Sequence, residues 1–304
     1  MGNADKLHAD EVAIDLPLVR AMIAQQFPSW ADEALEPVNS AGTDNAIYRL
    51  GSDKVVRLPR IEQSGLQVEK EQRWLHRLAP FLPLAIPTPL TAGTPTLGYP
   101  WTWSVYKWLE GEDASVVGIG DPMQTATDLA GFVDALHRVD ASGGPVPGRH
   151  NFFRGVPLAE RDADVQAALA SLELRPDIRT LEAAWERALQ LPPWRRDPVW
   201  VHGDLIEGNL LMRDGRLHAV LDFGMLGIGD PAVDLIPAWS FMSSPARSAF
   251  RAALAVDDAT WERGRGWALS SAVVALPYYR SHLKIVSRCE RTIAEVLSDD
   301  SWRS

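Results

Sequence analysis

The run His202-Gly203-Asp204-Leu205-Ile206-Glu207-Gly208-Asn209 is followed, thirteen residues after Asn209, by Asp222-Phe223-Gly224. Moving a phosphoryl group requires a carboxylate to orient the attacking hydroxyl and oxygen ligands to hold Mg²⁺ on a nucleoside triphosphate. Asp204 could be that carboxylate, with Asn209 and Asp222 as the two protein oxygens on the ion. Taken alone, an Asp-Gly pair is an ordinary turn signal; the combination in this order and spacing carries the chemistry. The flanking residues agree. Val199-Trp200-Val201 reads as a short apolar strand running into His202. Asn209 to Met212 and Leu217 to Leu221 read as strands paired across an Asp214-Gly215 turn. Such a hairpin would bring Asn209 and Asp222 to one ion; the competing reading is a plain hairpin with polar corners.

A triphosphate also needs a cation for its inner phosphates and a helix carboxylate to position that cation. In Lys54-Val55-Val56-Arg57-Leu58 the strand alternation puts Val56 and Leu58 on the core side and Arg57 on the other. A guanidinium there could grip two phosphate oxygens. Lys54, at the turn, is the alternative. On the following helix Glu71 lies between Val68 and Leu75 on the apolar stripe and Glu69 points away, so Glu71 is the partner expected for Arg57; a solvent-facing Glu71 is the other reading. Ser40, Gly42 and Thr43 lie in a loop between two strands whose N–H and hydroxyl groups could cradle phosphate, and which could equally be a turn. The stretch Ser104 to Gly111 should carry the backbone groups that read a purine, with Tyr106 and Trp108 either against the base or packing internally. Glu207 faces either solvent or the acceptor.

These groups need elements to position them. Before about residue 105 the pattern is helix (Leu16 to Phe27), two strands (Ala46 to Leu50, Lys54 to Leu58), helix (Glu62 to Leu78, stopped by Ala79-Pro80) and short strands, of which Trp101 to Trp108 is the clearest. After Gly111 helical periods dominate: Met123 to Val139, Leu158 to Leu172, Ile178 to Leu189, Val233 to Phe241, Ala246 to Ala255, Thr260 to Leu276 and Leu283 to Leu297. The expected fold is α+β and two-lobed: a small β-rich lobe over residues 1–107, and a larger helical lobe over 108–304 carrying the catalytic loop, metal site and acceptor pocket. The nucleotide would lie in the cleft between them. The 304 residues supply ample core, and 46% hydrophobic with 23% charged content is that of a soluble globular chain. No apolar run reaches the roughly 18 residues of a membrane span, and no signal peptide opens the chain. The single Cys289 fits a reducing compartment, so cytoplasm is expected. A net charge of −10 without a basic cluster argues against nucleic acid and is compatible with a cationic substrate.

The catalytic segment resembles the H-R-D-L-x-x-x-N and D-F-G elements of protein kinases, with Gly203 in place of the Arg. With Leu221-Asp222-Phe223-Gly224 and Gly229-Asp230-Pro231-Ala232-Val233-Asp234-Leu235 it is more closely similar to the aminoglycoside phosphotransferase family, which is grouped with choline kinases and macrolide phosphotransferases. The resemblance spans about residues 35 to 240. It implies a protein-kinase-like fold, Asp204 as the catalytic carboxylate, Asn209 and Asp222 as Mg²⁺ ligands, and the nucleotide at residues 104–109. Val56-Arg57-Leu58-Pro59-Arg60 looks like the macrolide-kinase strand, whereas Asn209 and Phe223 depart from the macrolide pattern. Asp230, before Pro231, reads as a cap, and Asp234 as a buried group bonding the catalytic loop. Trp239, Trp261 and Trp267 read as core residues, with an acceptor pocket as the alternative. The function expected is Mg²⁺-dependent transfer of the γ-phosphate of ATP or GTP to a small-molecule hydroxyl, with aminoglycosides or related amino-sugar antibiotics leading. A macrolide or small-metabolite kinase is the second reading. A non-catalytic nucleotide-binding module is a third, against which the retention of Asp204, Asn209 and Asp222 argues. The protein is expected to act as a monomer or weak dimer, with no nucleic-acid or membrane partner.

Overall fold

The computed structural model describes residues 11–38, 44–172 and 174–299. Ser40, Gly42 and Thr43 lie outside the described residues. Helix α1 (Leu16–Gln26) is capped by Asp15, whose side chain accepts from the Leu18 N–H, and leads to strand β1 (Leu35–Pro37). Strands β2 (Asn45–Leu50) and β3 (Lys54–Pro59) form the expected hairpin, with Arg57 opposite Ile47. Helix α2 occupies Glu62–Leu78, and strands β4 (Pro89–Gly93) and β5 (Trp103–Lys107) complete an antiparallel sheet of order β1-β2-β3-β5-β4. Its inner face and α1 enclose a small core in which Val19, Met22, Val56, Leu58 and Val105 are almost fully buried. Each such side chain contributes roughly 1.5–3 kcal/mol.

The strand alternation of β3 divides its side chains as the sequence implied. Val56 and Leu58 enter this core, whereas Val55 and Arg57 line the cleft. Helix α2 sends Trp74, Leu75 and Leu78 into a second, larger core shared with the helical region. It therefore joins the sheet to the catalytic segment mechanically.

Strand β6 (Glu112–Asp113) and helices α3 (Ala114–Val117) and α4 (Pro122–Arg138) follow, with Asp121 capping α4. The helix expected over 158–172 begins instead as a 3-10 turn at Leu158–Arg161 and becomes helix α5 only at Asp162–Ser171. Helix α6 spans Ile178–Leu189. Strand β7 (Val199–Val201) leads into the catalytic loop. The hairpin of β8 (Leu210–Arg213) and β9 (Arg216–Val220) has β6 as its third strand, and β10 (Gly227–Gly229) pairs with β7.

The expected helix over 233–241 is also divided. A 3-10 turn at Pro231–Leu235 gives way to a four-residue helix α7 (Pro237–Ser240), because Pro237 has no N–H with which to continue the preceding turn. Helices α8 (Ser244–Leu254), α9 (Asp258–Tyr278) and α10 (Leu283–Ser298) complete the chain. Helix α9 runs through the large core, and Gly264 permits its approach to the 231–235 turn: a Cβ there would lie 2.6 Å from that of Leu235. Trp239, Trp261 and Trp267 are all buried in this core, which is the packing role.

Candidate active site

The cleft between the sheet and the helical region holds a cavity of about 1070 Å³. Arg57, Asp204, Asn209 and Asp222 all line it, together with Tyr106 and Trp108. On its sheet side, Arg57 Nη1 donates to Glu71 Oε1 and Oε2 at 2.8 and 3.0 Å. Its Nη2 donates to Asp222 Oδ1 at 2.5 Å. With the Asn45 amide oxygen turned inward, that oxygen accepts from Arg57 Nε and Nη2 at 3.2 and 3.0 Å. Burial opposes the charge on Arg57, but the Asp222 and Glu71 carboxylates outweigh it and hold the guanidinium well above its ordinary range. Lys54 is engaged elsewhere, by Glu33 at 3.0 Å and Asp53 at 2.7 Å, and Glu69 is exposed.

Tyr106, expected as a base-reading or packing residue, is buried and donates its hydroxyl to Glu71 Oε2. Burial, reinforced by the Glu71 charge, pushes that phenol well above its ordinary value and keeps it a donor. Trp108 lies under the Arg49 guanidinium, 4.5 Å from its ring centre.

The 202–209 loop is fixed from beneath. Asp234 accepts from the backbone N–H of His202 at 3.0 Å and of Gly203 at 2.7 Å. Its Oδ2 also lies 3.1 Å from His137 Nε2. Gly203 has φ +80°, and a Cβ there would meet Arg154 Cβ and the Met225 carbonyl at 3.0 Å. Only glycine takes this conformation without strain. The Asp204 N–H donates to His202 Nδ1 at 3.2 Å. His202 Nε2 is thereby the donor to the Leu221 carbonyl at 3.0 Å. Asp230 is bound by Arg263 at 2.7 Å and caps the 231–235 turn through the Ala232 N–H.

Asp204 is half-buried in the loop, and desolvation raises its carboxyl above the ordinary range against the opposing pull of Arg154. The Asn209 amide nitrogen donates to the Asp204 carbonyl at 2.8 Å and to its Oδ2 at 3.1 Å. That commitment leaves the amide oxygen as the Asn209 atom able to ligate a cation. The Asn209 carbonyl accepts from the Leu221 N–H at 2.7 Å, so the hairpin brings Asn209 beside Asp222. Asp222 is held at φ +56° with the Gly224 N–H donating to its Oδ1 at 3.2 Å. Burial would raise its carboxyl, yet Arg57 and the Gly224 N–H hold it below the ordinary range.

No cluster of three His, Cys, Asp or Glu able to hold a metal occurs among the described residues. The pair Asp222 and Asn209 still fits Mg²⁺, which takes one or two protein oxygens together with water and phosphate oxygens. Glu207 is engaged by Arg291 at 3.0 Å.

Four further residues enter the site without a motif to announce them. Asn45 sits at the start of β2 against Arg57. Lys70, on α2, donates to the Gly224 carbonyl at 2.7 Å and the His150 carbonyl at 3.2 Å, and lies 2.9 Å from His150 Nδ1. Arg154 and Arg288 reach the cavity from the loop before α5 and from α10. The charge-rich segment around Lys70 was visible in the sequence, but no local spacing joins it to residue 224.

Residues 36–267 match the phosphotransferase enzyme family. A curated relative, an aminoglycoside 3'-phosphotransferase of Escherichia coli, is 31% identical over 115 residues. That match covers 37% of this chain and spans 41% of the length of the relative. Two solved structures share the fold. The GDP and kanamycin complex of APH(2")-IIia superimposes with a TM-score of 0.76 at 21% identity, covering 94% of this chain and 100% of that one. The macrolide 2'-phosphotransferase MphH of Brachybacterium faecium gives 0.64 at 22% identity, covering 93% and 97%.

Proposed function

This chain belongs to the phosphotransferase enzyme family, and on that premise we propose that it is a Mg²⁺-dependent kinase transferring the γ-phosphate of ATP or GTP to a hydroxyl of a small molecule. The observation that carries the reading is the meeting of Asp204, Asn209 and Asp222 with the Arg57–Glu71 pair around one cavity. Asp204 orients the acceptor hydroxyl and takes its proton, and the burial that raises its carboxyl makes it a better base than a solvated aspartate. Arg57, positioned by Glu71 and Tyr106, faces the phosphates. Asn209 and Asp222 hold the ion. When bound, Mg²⁺ neutralises the charge on the phosphates and orients them. Residues 1–107 serve as the nucleotide-binding lobe and 108–304 as the catalytic and acceptor lobe of a cytoplasmic monomer or weak dimer. No helix among the described residues is long and apolar enough to cross a membrane.

The relatives support an antibiotic as acceptor, with aminoglycosides and related amino sugars first. One observation favours the second reading, a macrolide or small-metabolite hydroxyl. The helical wall of the cavity includes an apolar stretch formed by Ile236, Ala268, Ala272, Ala275 and Ile285. Phosphorylation of an acceptor library with ATP and with GTP, with and without Mg²⁺, tests the proposal. Turnover of no acceptor by a protein that still binds nucleotide would instead favour a non-catalytic nucleotide-binding module.

A further inference from the structure

The helical side of the cavity carries a cluster of arginines, although the chain as a whole has a net charge of −10. Arg154, Arg161 and Arg288 line it there, against Asp164 and the catalytic Asp204. Asp164 is already bound to Arg161 at 2.7 Å. The Arg288 guanidinium has no hydrogen-bond or ion-pair partner among the described residues; the residue's backbone carbonyl accepts from Thr292 Oγ1 at 2.9 Å. Arg154 has no carboxylate within ion-pairing distance among them; its Nη1 donates to Ser271 Oγ at 2.7 Å, and its buried Nε has no partner. The buried Nε of Arg161 also lacks one. Arg154 and Arg288 both act electrostatically on Asp204, and Arg161 on Arg154, so the three guanidinia share one neighbourhood.

Removing cations even partly from water without a carboxylate partner is costly, and an anionic ligand would offset that cost. A polyamine would meet these arginines with like charge. The geometry points to a subsite, formed by Arg154 and Arg288 with Arg161 behind them, that takes an anionic group, a carboxylate, on the acceptor; the apolar wall takes the body of the same molecule. This rests on the kinase reading but departs from the amino-sugar class placed first there, favouring an acidic hydroxyl compound with an apolar skeleton. The planar fork of arginine suits a carboxylate in two-point contact, and the carboxylate would offset the positive charge beside Asp204.

The test uses a matched set: an ω-hydroxyoctanoate, its methyl ester, and the amino alcohol of the same chain length. Each is titrated calorimetrically into the full chain, with and without Mg²⁺ and a non-hydrolysable ATP analogue. The acid should bind at least tenfold more tightly than the ester, and the amine more weakly still. Arg288→Gln should weaken acid binding roughly ten- to hundredfold, the range of a charge-assisted hydrogen bond. Arg288→Lys should recover part of that loss. Nucleotide titration of each variant reports that its fold is intact. Equal or tighter binding of the amine, no binding of the acid to a protein that binds nucleotide, or acid binding untouched in Arg288→Gln would overturn the inference and leave the kinase reading standing. Acid binding that depends on Arg288 in a protein that binds no nucleotide would support the subsite and remove the kinase reading.

Discussion

Asp204 and Arg57 make opposite electrostatic demands, and each yields a prediction. Burial raises the Asp204 carboxyl, so the acid limb of turnover should lie above the ordinary carboxylate value of about 4. Asp204→Asn should lower turnover by roughly 10²–10⁴-fold with nucleotide affinity nearly intact; near-normal turnover would remove Asp204 from the chemistry. The same shift has a stability consequence. In the pH interval between the unfolded and the raised folded value, the native state holds a proton that the unfolded chain has lost, so stability falls as pH rises there. Thermal melts across that interval should show the fall in the parent and a flatter curve in Asp204→Asn. Arg57 is bound by two carboxylates, so its removal reaches beyond nucleotide affinity. Arg57→Ala leaves Glu71 buried without its cation and should destabilise the fold by about 3–5 kcal/mol. Arg57→Lys keeps the charge but cannot reach Glu71 and Asp222 together, so it should fall between. An unchanged melting temperature in Arg57→Ala would contradict the pairing.

At the scale of elements, the 202–209 loop depends on Asp234 and the Phe223–Met225 turn on Lys70. Asp234→Ala orphans the N–H groups of His202 and Gly203, at about 1–3 kcal/mol for each unsatisfied donor. Its melting temperature and turnover should both drop, with Asp234→Asn intermediate; a variant melting like the parent would argue that the loop holds itself. Lys70 is lowered to about 7 by burial. Between that value and the ordinary lysine range the unfolded chain carries the extra proton, so stability should rise with pH. Lys70→Met should flatten that rise in melts taken across the alkaline range.

Much of this level was legible in the sequence. The stripe Val68, Leu75 and Leu78 and the stop at Ala79-Pro80 fixed α2, and alternation in β3 turned Arg57 toward the cleft. Asp234 could be placed under the loop. The break at Pro237 was written in the sequence as well, but the apolar period across it suggested one helix. What could not be read was tertiary. Tyr106 turned out to bond Glu71, because nothing within β5 records which side chain lies opposite its hydroxyl. Arg154 and Arg288, 134 positions apart by their numbering, line one cavity only through the tertiary fold.

At the scale of the molecule, helix α2 shares the large core with the helical region, and Arg57 crosses from the sheet to Asp222. Ligands that fill the cleft should therefore stabilise the chain as one unit. Saturation with Mg²⁺ and nucleotide at about 100 times the dissociation constant should add about 2.7 kcal/mol, read as a raised melting temperature. Asp222→Ala should abolish the Mg²⁺-dependent part of that rise, and Asn209→Ala should reduce it less. A parent whose nucleotide-induced shift is the same with chelator present would contradict a metal at Asp222.

The Arg57–Asp222 contact carries one more consequence. A carboxylate meant for a divalent ion, as proposed for Asp222, would ordinarily stand alone, an uncompensated charge that pulls in water or a proton. Here the protein supplies a tethered cation to sit on it in the interim. If Asp222 takes an ion as proposed, that ion would take the place of the guanidinium at Asp222, and Arg57 would be free to turn toward phosphate. Loading is then an exchange within a charge-balanced site, and a chain that lost its arginine would keep an aspartate far readier to bind stray cations without any nucleotide.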